Sequence, residues 1–273
     1  MKKRIYNLLT LLFALVFAVS AGFLIHYYWE SYRQQSRYDD LAQLVESATV
    51  PRPTPTQPDE PEATQPPQSL VQISDPETGE PIWLLPHFAQ LYGLNNHTVG
   101  WLSIPGTQIH YPVMQTPKDP NYYLTHNFDR ESSSRGCLYA QENCSISTPS
   151  DNIILYGHRM RDGSMFARLD AYMDAGFCRD NPYIYFDTLT ELHTYQVMAV
   201  FLTTATQGEG FSYHTFVEAA TPGDFDAFVA SCKELSLYDT GVTAQYGDKL
   251  ITLSTCEYSQ DNGRLVMVAK RIV

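Results

Sequence analysis

Lys249-Leu-Ile-Thr-Leu-Ser-Thr-Cys256-Glu-Tyr-Ser-Gln-Asp-Asn-Gly-Arg264-Leu-Val-Met-Val-Ala-Lys270 reads as an apolar strand closing on a cysteine, a short polar loop, and a second apolar strand opened by an arginine. Asn262-Gly263 is a strong hairpin signal, since tight hairpin turns need the positive φ that Asn and Gly tolerate. The two strands are therefore expected to pair, with a thiol and a guanidinium at neighbouring strand ends facing one cleft. Leu265, Met267 and Ala269 alternate with Val266, Val268 and Lys270 without a clean polar face. That pattern fits a strand buried on both sides.

Upstream, Asp151-Asn-Ile-Ile-Leu-Tyr-Gly157-His158 is another apolar strand, and it delivers a histidine at its end. A permanent cation beside a thiol favours the thiolate and can neutralise an oxyanion. Cysteine, histidine and arginine at strand termini are the parts of a thiol acyl-transfer enzyme. Each has a plainer alternative: a buried structural cysteine, a structural or exposed histidine, a surface salt bridge. Cys256 is set apart by a polar loop following an apolar strand, and His158 by its place after Gly157. His26, His87, His97, His110, His126, His193 and His214 lack such a setting and read as structural or exposed.

Working outward, short strand candidates run over 99–104, 108–114, 136–140, 152–156, 183–187 and 194–203, followed by the pair 249–255 and 264–272. Many short strands separated by Gly, Pro and Asn turns argue for a β-barrel or sandwich rather than alternating β and α units. Helices are expected over 84–92 and 164–175. Thr221-Pro-Gly-Asp224 opens a further helix in the manner of a capping box, and Phe225, Phe228, Val229, Cys232 and Leu235 then recur at helical spacing.

The N-terminus has a different character. Lys2-Lys-Arg4 precedes an uncharged run from Ile5 to Ile25, whose 21 positions span about 30 Å as a helix, the thickness of a bilayer core. The basic tip places the N-terminus in the cytoplasm and the remainder outside. The alternative is a cleaved signal peptide, for which Ala18-Val-Ser-Ala21 offers small residues. A modestly amphipathic juxtamembrane helix follows, and then seven prolines between Pro51 and Pro67 mark an extended spacer. Fully extended, 17 such residues reach about 50 Å. The organisation expected is an anchor with its basic tip over 1–28, the juxtamembrane helix over 29–50, a linker over 51–80 and a catalytic domain over 81–273.

The formal net charge is −12. From residue 70 onward there are 12 Lys and Arg against 23 Asp and Glu, which argues against nucleic-acid binding. Five cysteines (Cys137, Cys144, Cys178, Cys232, Cys256) contain no CxxC, and no histidine pair has metal spacing, so no metal site is expected. Cys137 and Cys144 are the pair best spaced for a disulfide; buried free cysteine accounts for the four non-catalytic thiols equally well.

These residues resemble those of the sortases, specifically class B. Thr252-Leu-Ser-Thr-Cys256 matches the family's TLxTC motif, with Ser254 as the class B form of its variable position. Tyr156-Gly157-His158 matches the segment carrying the family histidine, and Arg264 the family arginine. The likeness reaches back through Asn96-His-Thr-Val-Gly-Trp-Leu-Ser-Ile-Pro-Gly-Thr-Gln-Ile-His-Tyr-Pro-Val113 and covers roughly 85–273. Where the family usually has Asp-Asn before Tyr-Tyr-Leu, this chain reads Asp119-Pro120-Asn121.

The resemblance implies a closed β-barrel of about eight strands with accessory helices, one N-terminal and one before the cysteine strand. It implies a membrane-anchored cysteine transpeptidase, single-pass, with its catalytic domain extracellular. Cys256 would be the nucleophile, His158 the acid and base, Arg264 the oxyanion partner. Ser254, Glu257 and Tyr156 are the expected substrate-binding residues, with the Glu257 N–H completing an oxyanion hole. The expected partners are secreted proteins bearing a C-terminal sorting signal, NPxTx-like and cleaved after Thr, and an amine on peptidoglycan or on a pilin; no cofactor is implied. The rivals are a hydrolytic cysteine endopeptidase sharing the site and a non-catalytic wall or pilus scaffold sharing the fold. A peptidoglycan cross-linking transpeptidase of the cysteine type is disfavoured, because its His-Gly-Cys run is absent.

Overall fold

A computed structural model describes residues 2–46, 69–206, 208–259 and 262–273, in two compact units divided after Gln43. The proline-rich spacer expected at 51–67 lies outside the described residues.

The first unit is essentially α1 (Lys2–Glu46), one continuous 45-residue helix. Two helices, an anchor and a juxtamembrane segment, were the expectation. No proline interrupts residues 2–46, so nothing in the chain forces a break between them. The N-terminal half leaves Leu8, Leu11, Phe13, Leu15 and Phe17 exposed, and by length and composition the helix is able to cross a membrane.

The second unit is a closed barrel. Its strands are β3 (Thr98–Ser103), β4 (His110–Met114), β5 (Leu138–Ala140), β6 (Asn152–Tyr156), β7 (Tyr183–Thr188), β8 (Thr194–Thr204), β9 (Leu250–Cys256) and β10 (Gly263–Arg271). They close in the order β10-β8-β7-β3-β4-β5-β6-β9, with β4/β5 and β6/β9 parallel and the rest antiparallel. All eight fall within two residues of the stretches expected from sequence. A hairpin, β1 (Val71–Ser74) and β2 (Pro81–Leu84), lies before them, in a segment that composition assigns largely to the linker. Its turn is organised by the Asp75 carboxylate, which accepts from the Glu77 and Thr78 amides and from the Tyr92 hydroxyl at 2.6 Å.

Helix α2 (Pro86–Leu94) starts later than the expected Leu84, because Leu84 ends β2 and Pro86 sits in the first turn. The helix expected over 164–175 divides into a 3-10 segment, Phe166–Met173, and α3 (Ala175–Asp180). Asp174 separates them: its extended backbone ends one segment, and its carboxylate accepts from the Phe177 amide at 2.8 Å to cap the next.

Helix α4 (Pro222–Leu235) precedes the cysteine strand. Thr221 and Asp224 form the expected capping box. Phe225, Phe228, Val229 and Cys232, at i, i+3, i+4 and i+7, bury one stripe against Met198, Phe201, Val266 and Val268 of β8 and β10. Each such side chain contributes about 1.5–3 kcal/mol on leaving water. Strand β10 is therefore covered on both faces, with Leu265 and Met267 buried opposite Val266 and Val268. No disulfide joins the cysteines, and Cys137, Cys144, Cys178 and Cys232 are all buried.

Candidate active site

Three strand ends meet where β6, β9 and β10 run side by side. In the antiparallel β9/β10 pair, Arg264 stands directly opposite Cys256. Directly opposed residues have Cβ atoms about 4.5–5.5 Å apart, so thiol and guanidinium share one face at the rim. In the parallel β6/β9 pair Tyr156 stands beside Ser254. Each chain runs on by two residues from there, to His158 and Cys256. All three side chains are half-buried, whereas the strands behind them are almost wholly buried.

The link between β6 and β9 is held by named bonds. The Thr252 hydroxyl donates to Asn152 Oδ1 and the Thr255 hydroxyl to the Gly157 carbonyl, both at 2.8 Å. At the far end, Lys249 Nζ donates to Asp151 Oδ1 at 2.8 Å. Glycine is required at 157, because a Cβ there would come within 2.4 Å of Leu138 Cδ2 and 2.7 Å of Phe166 Cδ2. The chain thus passes close to β5 and the 3-10 segment, while the Gly157 amide donates to the Ser254 carbonyl at 3.3 Å and keeps the approach to His158 on the cysteine strand.

His158 Nε2 lies 2.7 Å from the Leu124 carbonyl oxygen. A carbonyl only accepts, so Nε2 carries a hydrogen, and Nδ1 is the nitrogen left to gain or lose a proton. Among the described residues no carboxylate orients the imidazole and no hydrogen bond joins it to Cys256. Leu124 closes a short 3-10 turn, Tyr122–Leu124, entered through Asn121 in the left-handed region at φ 67°. Asn121 Oδ1 accepts from the Tyr139 hydroxyl at 3.1 Å. Burial, with Glu142 and Cys256 nearby, pushes the Tyr139 phenol up to about 12, so it remains a neutral donor. The departure at Asp119-Pro120-Asn121 thus falls in the loop that holds the histidine. Sequence reasoning missed the Leu124 carbonyl, since any residue has one. The available signal was Gly136, at φ 58°, where a Cβ would lie 2.3 Å from the Tyr123 carbonyl and 2.8 Å from that of Leu124.

The Arg264 guanidinium donates through Nη1 to the Asn262 carbonyl at 3.2 Å and the Gly263 carbonyl at 2.9 Å. Its own turn therefore fixes its direction. Two further expected site residues make contacts within the fold. The Glu257 N–H, expected to complete an oxyanion hole, donates to the Gly263 carbonyl at 2.9 Å and so extends the β9/β10 ladder by one bond. Ser254, expected to contact substrate, is only 1% exposed, and its hydroxyl lies 2.6 Å from that of Tyr213.

Glu257 folds its carboxylate onto Ser259, accepting from both its amide and its hydroxyl. Burial alone would raise this carboxyl, but the Ser259 and Tyr258 donors and the Arg159 charge outweigh it and hold it below its usual range. Tyr156 is half-buried, donating to Gln141 Oε1 and stacked obliquely on Tyr139 at 5.5 Å. No group of three or more potential metal ligands occurs among the described residues. The arrangement offers one accessible thiol, one imidazole and one fixed cation, which is equipment for acyl transfer.

Comparison with known proteins agrees with this reading. The Sortase domain family matches residues 102–272. Sortase B of Listeria monocytogenes is 34% identical over 184 residues, covering 67% of this chain and 72% of that protein. A Staphylococcus aureus sortase B–substrate complex superposes with a TM-score of 0.70 at 26% identity, covering 89% of this chain and 98% of that one. A sortase B complexed with triglycine gives 0.70 at 25% identity, with the same coverage of each chain. With an eight-stranded closed barrel, a matching family and relatives of this closeness, the chain belongs to the sortase family of cysteine transpeptidases and, within it, to class B.

Proposed function

We propose that this protein is a membrane-anchored sortase that cleaves a C-terminal sorting signal of the NPxTx type after its Thr and joins the protein to an amine of peptidoglycan. The observation that carries the reading is the register that sets Arg264 directly across from Cys256, with His158 at the end of the adjoining strand.

In this mechanism the Cys256 sulfur attacks the carbonyl carbon of the Thr. Negative charge gathers on the carbonyl oxygen, where Arg264 neutralises it; one such donor is typically worth about 10²–10³ in rate. The C–N bond breaks as protonated His158 gives its proton to the leaving amine, and a thioacyl enzyme remains. His158, now neutral, accepts a proton from the incoming amine as its nitrogen attacks the thioester carbon. The C–S bond breaks and the thiolate is restored. The sequence is redox-neutral and needs no cofactor.

Two further features support the proposal. One relative was solved with a substrate and another with triglycine, a glycine-type amine. The long apolar N-terminal helix fits a single-pass anchor with the catalytic unit outside. The test is mass spectrometry of products formed by the full-length chain in detergent micelles, given NPxTx peptides with and without a triglycine acceptor. An amine-linked product that requires Cys256 supports transpeptidation; a free acid regardless of acceptor assigns a hydrolase instead, and no cleavage at all overturns the proposal.

A further inference from the structure

Among the described residues no carboxylate orients His158, so the direction of its ring depends on the Leu124 carbonyl, 2.7 Å from Nε2. That carbonyl ends the 3-10 turn Tyr122–Leu124, which the chain enters through Asn121 in the left-handed region. A single 3-10 turn has few bonds of its own, so what grips its residues decides where it points. The Leu124 amide donates to the Asn121 carbonyl at 2.9 Å, which joins the residue that meets the histidine to the residue that opens the turn. The middle of the turn is fastened separately: the Tyr123 carbonyl accepts from the Cys137 amide at 2.9 Å, and the Tyr123 hydroxyl from Asn95 Nδ2 at 2.9 Å.

The entry is gripped from the barrel. Tyr139 of β5 donates its hydroxyl to Asn121 Oδ1 at 3.1 Å, and this is the one side-chain hydrogen bond that either residue makes among the described residues. Tyr139 is 9% exposed and stands directly across from Tyr156, two residues before His158. The path from Tyr139 through Asn121 and the turn to the imidazole therefore begins and ends on the paired strands β5 and β6. Asn121 meets two demands at once, since asparagine tolerates a positive φ and its side chain accepts the phenol. Glycine at this position would meet the first demand and not the second.

We propose that Tyr139 and Asn121 are positioning residues for His158: their hydrogen bond fixes the entry to the turn, aims the Leu124 carbonyl at Nε2 and so keeps Nδ1 as the nitrogen that exchanges the proton. In the acyl-transfer reading above, on which this assignment rests, His158 serves both half-reactions. Loosening the turn therefore slows both, without touching the peptide or the amine.

The test uses the full-length chain in detergent with Tyr139→Phe, which removes the donor, and Asn121→Gly, which removes the acceptor at an exposed position and suits its φ. Each variant slows thioacyl formation and its release by amine alike, by about three- to tenfold, at an unchanged peptide KM. The double variant loses no more than either single one, as two halves of one bond require. Asn121→Asp, which keeps an acceptor oxygen, retains most of the rate. Without substrate, the ring nitrogens of neutral His158, assigned in the NMR spectrum against His158→Gln, move in both single variants from the pattern of an Nε2–H ring towards a mixture of tautomers. Unchanged ring-nitrogen shifts, a raised peptide KM at an unchanged rate, or losses that add in the double variant overturn the proposal. A chain that shows the tautomer change but cleaves no peptide supports the positioning role and counts against the proposed function alone.

Discussion

Arg264 and Cys256 are one cross-strand pair, so a change at either is felt by the other without passing through the core. Arg264→Met removes the cation while keeping an unbranched apolar stem. The expected outcome is an unchanged fold with thioacyl formation slowed about 10²–10³-fold, read by single-turnover mass spectrometry. A loss below about threefold would take Arg264 out of the oxyanion role. Ser254 belongs to a different category. Its buried hydroxyl meets that of Tyr213, so Ser254→Ala leaves a polar group without its partner and costs about 1–3 kcal/mol in denaturant unfolding. A normal stability with a changed peptide preference would instead return Ser254 to the substrate. The placing of Cys256, His158 and Arg264 at neighbouring strand ends was legible in the sequence, because the apolar runs and the Asn262-Gly263 turn mark where the strands stop. The inward roles of Thr252, Ser254 and Thr255 were not: whether a hydroxyl at a strand end faces a neighbour or a ligand depends on what packs across from it.

At the scale of elements, β6 and β9 are a parallel pair fastened at both ends, by Asp151–Lys249 at one and Thr255–Gly157 at the other. Burial alone would raise the Asp151 carboxyl, but Lys249, the Ala219 amide and Glu218 outweigh it and hold it below its usual range. Its stabilisation is therefore complete above the unfolded value near about 4 and is lost as the pH falls through the lower folded value. Asp151→Asn should reduce stability near neutrality and flatten its decline in acid, by urea titration across pH 2–7; parallel curves for both proteins would refute this. Helix α4 offers a packing test: Phe228→Ala should cost about 3–5 kcal/mol, since the ring stacks on Phe216 at 4.0 Å and helps to cover the outer face of β10. A cost below about 1 kcal/mol would mean that the helix is not holding β10. The eight barrel strands and α4 were readable because apolar runs, turn residues and a cap all pointed the same way. The division of 164–175 at Asp174 was not, because one residue able both to end a turn and to cap the next reads equally as helix interior. The β1/β2 hairpin escaped because its turn, Asp75-Pro-Glu-Thr-Gly79, resembles linker composition.

At the scale of the molecule, the barrel is a sortase barrel, and Cys256, His158 and Arg264 stand where three of its strands end on one rim. Of the five thiols, Cys256 is the half-exposed one and the others are buried. Burial pushes the Cys144 thiol up to about 11 and raises that of Cys232 further, so neither supplies a nucleophile near neutral pH. The central claim is therefore that a single sulfur carries the acyl group. The most direct test is the intact mass of the full-length chain in detergent, acid-quenched during turnover of an NPxTx peptide without acceptor, with peptide mapping of the adduct. The account predicts one added mass equal to the N-terminal fragment ending in Thr, located on Cys256, released by an amine and absent from Cys256→Ala. Peptide cleavage with no adduct at Cys256, or an adduct that survives Cys256→Ala, would contradict it.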